Sequence, residues 1–164
     1  MSFQKQVNAN QALGNVGQIS KAHHSFLNVI PAIAADDFVK VGSFVQSSST
    51  ATNENEVIGA SGKQITGSIL GVVVRDSLKV AGDSTPTLAV KKGENCAILT
   101  EGSIFIEVNV QAKKGKYVFL KTADGSLGFF DTNTESNYTY TGFRVSKGHE
   151  TATAGLIEIT TARA

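Results

Sequence analysis

The sequence predicts an all-β protein: a small β-barrel or sandwich, of jelly-roll or tulip-like kind, with an extended N-terminal arm in front of it. Three observations predict this. Sixteen Gly with two Pro and no Trp, set among many Val, Ile, Thr and Phe, is the composition of short strands broken by turns. Ile104, Ile106, Val108 and Val110 alternate with Phe105, Glu107, Asn109 and Gln111, which is the period of two that a pleated strand imposes. Residues 116–121 run into Thr122-Ala123-Asp124-Gly125 and return as residues 126–130, and Asp-Gly tolerates the positive φ of a hairpin turn.

Taken in order, residues 1–35 read as the arm. Asn8, Asn10, Gly14, Asn15 and Gly17 interrupt its few apolar positions, so no helical stripe forms. Such a segment buries too little to offset its own ordering entropy and is expected to gain order against a partner. Asp36-Asp37 mark the turn into a β domain covering 36–164. Within it, strands are expected at 38–46, 69–74, 88–91, 96–100, 104–110, 138–146 and 156–161 besides the 116–130 hairpin, about eight in all at the spacing of a barrel or sandwich. Residues 69–74 are continuously apolar, which suits a strand buried on both faces. The polar run 47–55 reads as an exposed loop.

Function classes fall away one after another. Fifteen Lys and Arg against fourteen Asp and Glu leave a net charge of +1, which gives no field for nucleic acid. No run of about 18 apolar residues predicts a membrane span, and no basic and then apolar leader predicts secretion. A single Cys makes no internal disulfide. His23, His24 and His149 do not have a metal-site spacing, so neither metal nor cofactor is expected. Cys96 lies in an apolar strand, where a lone Cys is a small hydrophobe more often than a nucleophile. Gly59-Ala60-Ser61-Gly62-Lys63 lacks the spacing of a phosphate loop. Asp36, Asp37, Glu54, Glu56, Glu101 and Glu107 could furnish a glycosidase pair only if the fold brought two together. With no Trp and three Tyr, a carbohydrate platform is disfavoured. Phe129 and Phe130 are neighbours on a strand and face opposite ways. One of them should escape the core, for which a subunit interface or a covering loop serves equally.

The opening Met1-Ser2-Phe3-Gln4-Lys5-Gln6-Val7-Asn8-Ala9-Asn10-Gln11-Ala12-Leu13-Gly14 resembles the start of tailed-bacteriophage head proteins of the capsid cement or decoration type. The later succession of Gly, Val-rich strand and Asp-Gly turn is similar to theirs as well. The resemblance implies a non-enzymatic virion protein, assembled in the host cytoplasm, that binds the outer surface of the phage head and cements major capsid subunits against internal pressure. Phe3, Gln4, Val7, Asn8, Asn10 and Leu13 would be the capsid-binding arm, and Phe129 and Phe130 a contact within a homo-oligomer, a trimer in preference to a dimer. The partner is then the capsid lattice, with no nucleic acid and no membrane. The alternative is a tail or fibre β module that binds a host surface glycan.

Overall fold

Residues 69–73 are apolar at consecutive positions, and consecutive positions of a strand face opposite ways, so such a strand requires apolar cover on both sides. The computed structural model, which describes residues 14–20, 27–37, 39–48, 53–75 and 88–161, supplies that cover. Among the described residues there are twelve strands and no helix: β1 Asn28–Ala34, β2 Val39–Lys40, β3 Phe44–Ser47, β4 Glu56–Gly59, β5 Ile69–Val73, β6 Ala89–Val90, β7 Asn95–Glu101, β8 Ser103–Val108, β9 Tyr117–Lys121, β10 Leu127–Phe130, β11 Tyr138–Lys147 and β12 Gly155–Thr161. A closed barrel runs β1-β4-β3-β5-β7, and a five-stranded sheet runs β10-β9-β11-β12-β8. A two-stranded ladder of β2 and β6 completes the set.

Two apolar clusters follow from the alternation. Ala32, Ala34, Val45, Val57, Val73 and Ile98, one face of the barrel strands, form one core together with Val39 and Val90. The other face of the same strands, Phe44, Val72 and Leu99, packs into a larger core with Ile104, Ile106, Val118, Leu120, Phe143, Val145, Ile157 and Ile159 of the sheet. The neighbours Val72 and Val73 thus enter different cores, and both are wholly buried. The two-faced burial read from the sequence at residues 69–74 has this as its cause.

The expected hairpin is present, with Leu127 opposite Leu120 and Phe130 opposite Tyr117. Around its turn the Ser126 hydroxyl and amide both donate to the Asp124 carboxylate. These bonds hold that carboxyl below its ordinary range. The strand expected at 38–46 is two short strands with a turn between them, and β4 is a strand that the sequence pattern does not predict. Its two apolar residues, Val57 and Ile58, follow a polar run too closely to stand out.

The boundary expected at residue 35 does not coincide with a structural one, because Asn28–Ala34 is the first strand of the barrel. Pro31 and two alanines argue against a strand on propensity. Pairing with β7 along its length overrides that weakness. Pro31 also sits where its missing N–H costs nothing, since its backbone nitrogen faces the side on which β4 begins only at Ile33.

Several polar side chains are buried in this framework, Gln46 and Glu158 completely. Gln46 donates from its amide to the Gln64 carbonyl at 3.0 Å, and its carbonyl accepts from the Thr66 and Gly67 amides at 2.8 and 2.9 Å. It ties the 64–67 segment to β3. Gln46→Ala strands three main-chain groups at once, with an expected loss of about 2–3 kcal/mol in urea unfolding. A loss below about 0.5 kcal/mol would show that water replaces the amide freely.

Candidate interaction surface

Over β9, β10 and β11, the face of the five-stranded sheet turned away from the barrel is largely aromatic, where the outer face of an antiparallel sheet is ordinarily polar; over β8 and β12 it carries Ser103, Glu107, Glu158 and Thr160. Because cross-strand partners share a face, the registers of β9 with β10 and β11 put Tyr117, Phe119, Phe130, Tyr138, Tyr140 and Arg144 on it together. The rings touch in a chain. Tyr117 meets Tyr140 with centroids 5.5 Å apart, Tyr140 meets Phe119 at 5.3 Å, Phe119 meets Phe130 at 5.4 Å, and Phe130 meets Tyr138 at 4.9 Å. The Arg144 guanidinium lies 3.9 Å over the Tyr117 ring and donates to the Tyr117 hydroxyl. Burial pushes the Tyr140 phenol above the ordinary tyrosine range, and the nearby Arg144 charge pulls the other way.

Gly128 makes room for this array. A Cβ there would lie 2.7 Å from the Phe130 ring and 2.8 Å from that of Tyr138, so both rings cover bare backbone. Phe119 is buried under its neighbours, whereas Tyr117, Phe130, Tyr138 and Tyr140 remain partly exposed. Tyr, Phe and Arg are the residue types that interfaces favour.

The two edges of the sheet differ. Along β8 the chain covers its own edge: the Gly17 amide donates to the Phe105 carbonyl at 2.8 Å, the Phe105 amide to Gln18 at 3.1 Å, and the Ser20 amide to Ser103 at 2.8 Å. Ile19 and Ile104 form a bridge there. Along β10 no strand lies on the outer side among the described residues.

Of the residues singled out from the sequence, Phe3, Gln4, Val7, Asn8, Asn10 and Leu13 lie outside the described residues, as do His23 and His24. Phe129 and Phe130 take opposite faces as expected. Phe129 packs against the larger core and Phe130 joins the aromatic array. Along the sequence Tyr117, Tyr138 and Tyr140 are only three scattered tyrosines, and nothing next to Arg144 in the chain marks it out. The signal was the Tyr-x-Phe of 117–119 and the Tyr-x-Tyr of 138–140, two alternating pairs that become one patch only when β9 and β11 are neighbours.

The catalytic candidates do not assemble. Cys96 packs against the barrel core from β7. His149 has its Nε2 2.7 Å from the Thr151 hydroxyl and 3.1 Å from the Thr153 carbonyl. Asp36 pairs with Lys63. A cleft of about 350 Å³ between barrel and sheet has Glu107, Lys40 and Asn109 among its lining residues, with no second carboxylate. Among the described residues no three His, Cys, Asp or Glu side chains cluster so as to hold a metal ion.

The fold and this surface can be set beside known proteins. Residues 3–162 match the model of the structural cement protein family described by E217 gp24 and Pam3 gp6. The chain belongs to that family. It is therefore a phage structural protein of the cement class, and the family supports a capsid-stabilising role within the virion. Among solved structures it is similar to a chain of the capsid of Myoviridae phage XM1, with 17% identity, 98% of this chain and 97% of that one covered, and a TM-score of 0.56. At that identity the likeness speaks for the fold. A second similarity is to the head fiber gp8.5 N base of bacteriophage phi29, at 13% identity, 85% and 97% coverage and a TM-score of 0.47. No curated protein matches the chain.

Proposed function

We propose that this cement protein sits on the outer surface of the assembled head, bridges neighbouring major capsid subunits and stiffens the shell against internal pressure. Family membership over residues 3–162 carries the reading. The chain acts by adhesion, without catalysis or cofactor, and its partner is the protein lattice rather than nucleic acid or membrane. Phe3, Gln4, Val7, Asn8, Asn10 and Leu13 make the capsid contact, and copies associate through the Phe129 and Phe130 side of the sheet. What supports the arm's role is its root: Gly17–Ser20 is hydrogen-bonded to β8, so the preceding residues start from a fixed point on the body. Many copies on a repeating lattice then hold by avidity.

The glycan-binding alternative is disfavoured by the aromatic array itself. Most of its rings meet edge to face, and Arg144 covers Tyr117, which leaves few flat ring faces for a sugar to stack on.

Removal of residues 1–13 tests the arm. The shortened chain should keep its circular dichroism and thermal transition, because the β8 edge bonds remain, while co-sedimentation with heads falls tenfold or more. Undiminished binding by the shortened chain would refute the arm contact. Heads that withstand heat equally well with and without the full chain would refute the cement role.

A further inference from the structure

Natural sheets blunt their edges with Lys, Pro, a bulge or a covering segment. At β8 this protein uses a covering segment. At β10, Leu127-Gly128-Phe129-Phe130 carries no charge, no proline and no irregularity in its pairing with β9.

The direction of its free groups can be read from the ladder. The Lys121 amide donates to the Ser126 carbonyl, and hydrogen-bonded pairs alternate along an antiparallel ribbon. Gly128 and Phe130 therefore bond to β9, and the N–H and C=O of Leu127 and Phe129 point away from it. On the far side of β9 the Thr122 amide donates to the Asn137 carbonyl, the same alternation seen from β11. The side chains of Leu127 and Phe129 both turn toward the larger core and are only partly buried.

We infer that β10 pairs with β10 of a second copy of this chain about a two-fold axis through Gly128, joining the two sheets into one of ten strands. The register is set by the free groups: Leu127 of one copy opposite Phe129 of the other satisfies outward donors and acceptors on both chains. It also sets Leu127 against Phe129 on the core face, an apolar cross-strand pair. Gly128 meets Gly128 at the axis as a non-hydrogen-bonded pair, the closest approach of two strands at about 4.5 Å, and neither residue has a Cβ to widen it.

Two observations select a second copy in a two-fold arrangement. A closed ring of three built by sheet edges needs two different open edges on each copy, and among the described residues this sheet has one, since Gly17–Ser20 occupies the other. The cations flanking β10 are neutralised within the hairpin, Lys121 by Asp124 at 3.5 Å and Lys116 by Asp131, so two copies meet without uncompensated like charge. The homotrimer favoured on sequence grounds would have to use some other surface. The inference gives a geometry to the self-association proposed above and does not need the capsid contact, so it is tested on the isolated protein.

The full chain should show twice its 17.2 kDa by light scattering at micromolar concentration, and Leu127→Pro should halve that mass. Proline at the first residue of β10 removes only an outward N–H, a position where a strand accepts it. A monomeric or trimeric full chain, or a folded Leu127→Pro chain that stays dimeric, overturns the inference. A second measurement holds if that variant misfolds. Oxidising a mixture of Ser126→Cys and Phe130→Cys chains should yield a 126–130 cross-link by peptide mass spectrometry, and its absence overturns the register.

Discussion

Phe143→Ala is expected to lower the free energy of unfolding by about 3–5 kcal/mol. Phe143 lies on β11, is 2% exposed and faces the core between sheet and barrel. Its ring meets Phe44 of β3 edge to face, centroids 5.7 Å apart at 74°. Phe44 belongs to the barrel and Phe143 to the sheet, so this pair is a place where the two layers hold each other. Truncation removes the ring's burial, its edge-to-face term of about 0.5–1.5 kcal/mol and leaves a cavity that rigid strands on both sides cannot close. A domain of ordinary stability, about 5–15 kcal/mol, loses a large fraction of it. Urea unfolding measures the change. A loss under about 1 kcal/mol would mean that the layers are held elsewhere. Phe143→Leu, which keeps most of the volume, should recover more than half of the loss.

Gly17→Val is the second large effect, and it acts on an edge. Gly17 has φ +74°, and a Cβ there would stand 2.3 Å from the Val41 side chain and 3.1 Å from the Arg75 and Gly42 amides. A β-branched residue fits neither the backbone conformation nor the space. Its main chain donates to Phe105 and accepts from Arg75, both at 2.8 Å, and these bonds are lost as the segment lifts. The expected cost is about 2–4 kcal/mol. A second consequence separates it from an ordinary destabilising change. Lifting Gly17–Ser20 opens the β8 edge, so each chain then carries two open edges and can add copies without closure. Size-exclusion chromatography should show polymers for Gly17→Val and none for Phe143→Ala at matched unfolded fraction. Equal behaviour of the two variants would show that the segment does not guard the edge.

What could be read along the chain is what depends on near neighbours. Alternation at 104–110 and the Asp-Gly turn at 124–125 are local, and both β8 and the β9–β10 hairpin are where the sequence placed them. Continuous apolar character at 69–74 announced burial on both faces. The resemblance carried by Met1–Gly14 is to the cement class, whose family model residues 3–162 match. Reading failed where long-range pairing overrules propensity. Asn28–Ala34, with its proline and alanines, is a barrel strand because β7 lies beside it. Glu56–Gly59 is one because β3 does.

The sequence by itself determined the period-two chemistry of the strands, and with it the all-β class, and it marked Phe129 and Phe130 as residues that cannot share one core. Only the tertiary structure decided that there are two cores, that Val72 and Val73 divide between them, and that three tyrosines, two phenylalanines and Arg144 meet on one face. It alone decided which sheet edge is closed. The reason is that side-chain direction is a local property of the backbone, whereas strand order is settled by contacts between segments tens of residues apart, whose energies appear only once the chain has closed on itself.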